Sequence, residues 1–223
     1  MKNFKQVFIS FLLASFMLVG GNAYSDVTLT PGSAATSGFA GSQDPNATMT
    51  SLLASSTNSF VSAPPNFNGS VTSYVWLDEL NPYGVSALTF GYVFFNDSSS
   101  ADAIGRMTVN GFKGLNTTAY TTDCCGFGSL VPESVNRSVS GDTIGVTFAT
   151  NGAGVAPGTW IEMLVVYTDA AFYSTTIANF IDGGIASATV FAPIPEPEIY
   201  AMLVAGLGFM GFVARRRKQR LAA

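Results

Sequence analysis

The chain of 223 residues carries 10 lysines and arginines against 14 acids, and it contains no histidine. The missing imidazole excludes a Ser-His-Asp triad, a Cys-His dyad and any histidine-ligated metal centre. Charge is also segregated. Between Asp26 and Ala192 only Arg106, Lys113 and Arg137 are basic against twelve acids, so this stretch stands near −9 (3 minus 12), which disfavours binding to phosphate backbones and hence to nucleic acid.

Residues 1–25 read as a secretory signal. Lys2 and Lys5 give a positive start, and Val7 to Val19 is apolar except for Ser10 and Ser15. The small residues Gly21, Ala23 and Ser25 follow in a small-x-small pattern, so cleavage is expected after Ala23 or Ser25. The apolar run is too short to span a bilayer comfortably.

From Asp26 to about Asn68 the chain is rich in Ser, Thr, Ala, Gly and Asn. "VTLT" (27–30) predicts a first strand. "DPNATMTSLLASS" (44–56) predicts a short helix, with Asp44 as cap and Pro45 at the first helical position. "APPN" (63–66) marks a loop.

Beyond it the apolar period becomes two. "VTSYVWL" (71–77) predicts a strand. In "SALTFGYVFFND" (86–97), Leu88, Phe90, Tyr92 and Phe94 share one face and Thr89, Gly91, Val93 and Phe95 the other, as in a strand buried on both sides. "GRMTVNGF" (105–112) sets Met107 and Val109 opposite Arg106, Thr108 and Asn110. "SVNRSVS" (134–140) and "DTIGVTFAT" (142–150) predict a hairpin across Gly141, with Ile144, Val146 and Phe148 facing inward. "TWIEMLVVYTD" (159–169) reads as a central strand, and "SATVFAP" (187–193) closes the domain after the "DGG" turn (182–184).

About seven strands without helical periodicity predict an all-β domain over 26–192: an antiparallel β-sandwich, jelly-roll-like or immunoglobulin-like. Trp76, Phe90, Phe94, Phe148 and Trp160 are the candidate aromatic core.

The last segment, 193–223, has three ordered parts. Pro195 and Pro197 bracket Glu196, and proline's missing amide and its restriction of the preceding residue keep this stretch extended and open to a protease. Ile199 to Ala214 is sixteen residues without a charge. As a helix it spans roughly 24 Å, a little short of a ~30 Å hydrocarbon core, and snorkelling arginines with local thinning cover the difference. Gly206, Gly208 and Gly211 suit a membrane helix better than a solvated one. Arg215, Arg216, Arg217 and Lys218 then hold that end in the cytoplasm and set the preceding domain on the opposite side.

The order of Pro195-Glu196-Pro197, apolar helix and arginine cluster resembles the PEP-CTERM sorting signal of exported proteins from Gram-negative bacteria that make extracellular polysaccharide. The resemblance covers about the last thirty residues of the chain. It implies that an exosortase, a membrane-embedded cysteine protease, recognises the tripeptide and releases or transfers the protein. The helix is then a transient tether, removed with the tail. Gly141 to Pro193 also looks like the closing half of many ectodomains bearing this signal, which implies a domain and not an activity.

The candidate chemistry elsewhere is thin. Cys124 and Cys125 are adjacent, and three arrangements stand open: a strained vicinal disulfide stiffening a loop, which is slightly favoured, bonds to other chains, or buried thiols. Without histidine neither is a catalytic candidate. Asp78, Glu79, Asp97, Asp102 and Asp123 have oxygen ligands that calcium accepts but no ligand repeat, so solvated loop acids are the favoured reading and no metal is assigned. Glu162 lies on a strand face with Trp160, so a glycosidase site of glutamate and aromatic is conceivable, but twelve scattered acids produce such neighbours by chance. Phe67, Tyr74, Tyr83, Phe112, Tyr120, Phe127, Phe172 and Tyr173, in or near predicted loops, could stack on sugars or cap the sandwich.

The expectation is a non-enzymatic exported protein with no catalytic residue and no cofactor. It is held in the inner membrane with a periplasmic ectodomain, then delivered to the cell surface or extracellular matrix of a biofilm. Its partners are the export machinery and an exosortase. The alternative is a secreted module that binds extracellular polysaccharide.

Overall fold

A computed structural model describes residues 26–38, 51–63, 66–123, 130–148 and 154–194, with Leu207, Phe209 and Met210 near the C-terminus. Among the described residues thirteen strands run in chain order: β1 (Val27–Thr28), β2 (Ala34–Ala35), β3 (Ser51–Val61), β4 (Asn68–Leu77), β5 (Leu88–Asn96), β6 (Arg106–Val109), β7 (Thr117–Thr122), β8 (Ser134–Arg137), β9 (Ile144–Thr147), β10 (Thr159–Trp160), β11 (Met163–Thr168), β12 (Phe172–Asp182) and β13 (Gly184–Ile194).

They form two antiparallel sheets. The larger has the order β1-β7-β11-β5-β4-β3, with β10 also on β5; the smaller has the order β13-β12-β6-β9-β8-β2. The domain is thus β-sandwich-like, as the period-two runs predict. Leu88, Phe90, Tyr92 and Phe94 of β5 face the smaller sheet, which returns Met107, Val109, Val135, Ile144, Val146 and Phe180. The centre is aromatic. Phe60 of β3 stacks on Phe180 of β12 at 3.8 Å, and Phe94 meets Phe180 and Phe148 edge-on at 5.1 and 5.5 Å. Such pairs add to the burial of their area.

The larger sheet is also buried over the part of its outer face that β4, β7 and β11 form. Trp76, Tyr120, Met163, Val165 and Tyr167 form a second apolar cluster there. The segment from Asp78 to Ala87 folds back over one end of it. Asn81 anchors that fold-back by donating to the Ala87, Leu88 and Thr168 carbonyls. Gly91 lies beneath: a Cβ there would stand 2.9 Å from both the Met163 sulfur and the Trp76 ring, closer than real side chains approach.

Several expectations need correction. Of the expected helix at 44–56, residues 44–50 lie outside the described residues, and residues 51–56 are not helical but open β3, paired from Ser51 to Val61 with β4. From Ala54 to Ser59 the small and polar residues of the strand alternate between a half-buried and an exposed face, and tertiary pairing overrides a weak helical preference. The run 159–169 is two strands. β10 pairs with Phe95 and Asn96 of β5, β11 pairs farther along β5, and Ile161 and Glu162 make the step between them. Trp160 is only partly buried; it packs against the margin of the main core and lies against Phe95 at 4.7 Å. The first strand is Val27–Thr28 alone. The 142–150 strand ends at Thr147, and the predicted hairpin forms with Gly141 at φ +74° in its turn.

Candidate functional site

β13 carries the domain directly into the C-terminal segment. Pro193 and Ile194 are still in register with Tyr173 and Phe172 of β12, so Pro195 follows the folded sheet with no linker. Pro195, Glu196, Pro197, Arg215, Arg216, Arg217 and Lys218 lie outside the described residues, as do residues 1–25, Cys124 and Cys125. Leu207, Phe209 and Met210 are helical and exposed. Among the described residues no helix is long and apolar enough to cross a membrane.

The loop acids are not all solvated. Asp78 is fully buried at the head of the 78–87 fold-back, accepting from the Trp76 indole at 3.3 Å and the Leu80 amide at 2.9 Å. Its role is to hold a turn on an aromatic face. Asp97 accepts from the Ser99 amide and hydroxyl, which holds its carboxyl below the usual range. Among the described residues no three acids or cysteines come close enough to hold a metal ion.

Glu162 is half-buried at the step between β10 and β11. Burial raises its carboxyl pKa; the Thr121 hydroxyl acts in the opposite sense, and Asp123 adds to the rise. A carboxyl whose folded pKa is raised stabilises the fold below its unfolded pKa, and that contribution is lost as pH rises through the folded value. Glu162→Gln should therefore raise the melting temperature at pH 7 and leave it nearly unchanged at about pH 3.5, where the glutamate is protonated in both states. Thermal melts of the two proteins at both pH values check this.

The aromatic residues expected in loops are mostly interior. Phe67, Phe112 and Tyr120 are buried, the last in β7, and Tyr74, Tyr83 and Tyr173 are partly so. Tyr83 donates to or accepts from the Thr118 hydroxyl at 2.8 Å. Phe172 remains, 55% exposed at the start of β12; Phe127 lies outside the described residues. A sugar-stacking platform thus loses most of its candidate rings to the core.

One polar centre escaped the reading of the sequence. Arg137, the last residue of β8, is 3% exposed. Its Nε donates to the Gly141 carbonyl, Nη1 to the Leu29 carbonyl and Thr117 hydroxyl, and Nη2 to the Phe112 and Leu115 carbonyls, at 2.6–3.1 Å. All five guanidinium donors are used. Burial lowers its pKa, while Tyr83 and Asp169 act to raise it. The signal was present: Arg137 shares the phase of Val135, the inward residue of the strand. A cleft of about 250 Å³ opens beside it, between residues 28–31 and 114–117. With every Arg137 donor engaged by the chain, the cleft has no cation to offer a ligand.

A family model for the PEP-CTERM protein-sorting motif matches residues 193–218. The C-terminal segment is therefore a PEP-CTERM sorting motif, and it begins on the last two residues of β13. No curated protein and no solved structure matches the chain.

Proposed function

We propose that the protein is an exosortase substrate, exported by its N-terminal signal, tethered for a time in the inner membrane by 199–214, and delivered to the cell surface or extracellular matrix. The observation that carries this reading is the sorting motif at 193–218. In it Pro195, Glu196 and Pro197 are what the protease recognises, and Arg215 to Lys218 are the topological stop. The β-sandwich is the cargo, and it acts without catalysis. An acidic, tightly packed domain in which the buried Asp78, Asn81 and Arg137 are engaged in holding its own backbone and side chains suits a structural role. Polysaccharide binding is the second reading, and among the described residues of the sandwich exposed Phe172 is the foremost ring for it.

Replacing Arg215, Arg216, Arg217 and Lys218 with serine tests the tether. The tail then loses its hold on the inner leaflet, and the protein is expected in the periplasm with its C-terminal segment intact. Cell fractionation with mass measurement reads the outcome. Normal surface delivery of the variant would remove the stop role from this cluster.

A further inference from the structure

The edges of the two sheets are finished unequally. β1 and β2 are two residues long, too short to template another strand. β13 is eleven residues long, but its outer backbone groups are taken by side chains of the larger sheet. Asn58 donates to the Thr189 carbonyl at 2.9 Å, Tyr92 donates to the Phe191 carbonyl at 2.8 Å, and the Phe191 amide donates to Ser73 Oγ at 3.1 Å. Among the described residues β3 has no such cover. It pairs with β4 along one side from Ser51 to Val61, and no described strand takes its other side.

An open edge is a row of unpaired donors and acceptors, and proteins ordinarily guard it with charge, proline or a bulge. β3, "SLLASSTNSFV", has no charge and no proline. Its one bulge lies between Leu52 and Ala54, which leaves Ala54–Val61 regular. Among the described residues this is the longest open edge.

We propose that β3 pairs antiparallel with β3 of a second copy, about a twofold axis at Thr57, joining two seven-stranded sheets into one. The outward residues are self-complementary in that register. Thr57 meets Thr57, and Ser55 meets Ser59 twice over. Val61, 62% exposed, ends the regular segment of each strand. The small residues at the centre let the backbones approach, and directly opposed side chains on such a pair interact. Charge selects the same surface. A body near −9 (3 minus 12) repels its own copy over most of its area, whereas this strand carries no charge to oppose the approach. A symmetric interface of this kind closes at two copies.

The test uses the full-length chain purified in detergent, with mass measured by light scattering and corrected for detergent. Wild type is expected at twice the 23.3 kDa chain mass. Ser55→Lys/Ser59→Lys, which sets like charges opposite each other twice, is expected at the single-chain mass with its melting temperature retained. Thr57→Cys with Cys124→Ser and Cys125→Ser should be joined 57 to 57 by a short bismaleimide, read by peptide mass; this decides the matter if the lysine variant fails to fold. A monomeric wild type, as when residues 39–50 or another peptide occupy the edge, overturns the proposal. So does a dimer unaffected by the lysines, which locates association in the tail, or an introduced thiol at position 57 that links elsewhere or not at all.

Discussion

Arg137→Met is expected to destabilise the domain by about 4 kcal/mol, a large share of the 5–15 kcal/mol that holds an ordinary domain folded. The guanidinium ties residues far apart in the chain: Leu29, Phe112, Leu115, Thr117 and Gly141 all depend on it. Methionine fills much of the volume and donates nothing. Two of the acceptors keep other donors, since the Thr117 hydroxyl also donates to the Leu29 carbonyl and the Leu115 amide to the Phe112 carbonyl. The Gly141 and Leu115 carbonyls lose the guanidinium donors outright, and a buried acceptor left unmet costs roughly 1–3 kcal/mol. Arg137→Lys should recover less than half of the loss, because an ammonium has three donors and lacks the planar fork. Urea unfolding of the three proteins measures the differences. A loss under about 1 kcal/mol for the methionine variant would mean that water replaces the guanidinium, and that the centre is less closed than its geometry implies.

Glu196→Ala has the largest expected effect on function. If the tripeptide between β13 and the apolar segment is what the protease reads, removing its carboxylate should stop maturation almost completely. The protein should then collect in the inner membrane at full precursor length less its signal. Because β13 stays paired through Ile194, the protease has to work immediately beside the folded sheet. Glu196 is the charge bracketed by Pro195 and Pro197 in the sequence, and Glu198 follows it. Fractionation and immunoblotting of wild type and variant read this directly; wild-type release from the variant would detach processing from Glu196.

Where side chains repeat with a period of two and both faces are apolar, as in β5 and β11, the strands were plain in the residues. β13 was legible from Ala186, Ala188, Val190 and Ala192, which all point inward. β3 and β12 were not, because each lies at or near a sheet edge and mixes Ser, Thr and Asn with its apolar residues, which blurs the alternation. β7, "TTAYTT", hid differently. Its threonines suggest a loop by polarity, but they are β-branched and all six residues are buried between neighbouring strands. The same difficulty displaced the aromatics: proximity to turns does not separate a ring that caps the core, such as Phe112, from one that faces solvent, such as Phe172. The sorting motif was the opposite case. Its three parts are contiguous and local, so it needed no tertiary information to be read.

The intact mass of the protein recovered from culture medium bears most directly on the account as a whole. Removal of the signal after Ala23 or Ser25 and a new C-terminus near Pro197 is the predicted result, with the apolar segment and the arginines gone. A recovered chain that still ends at Ala223 would contradict it.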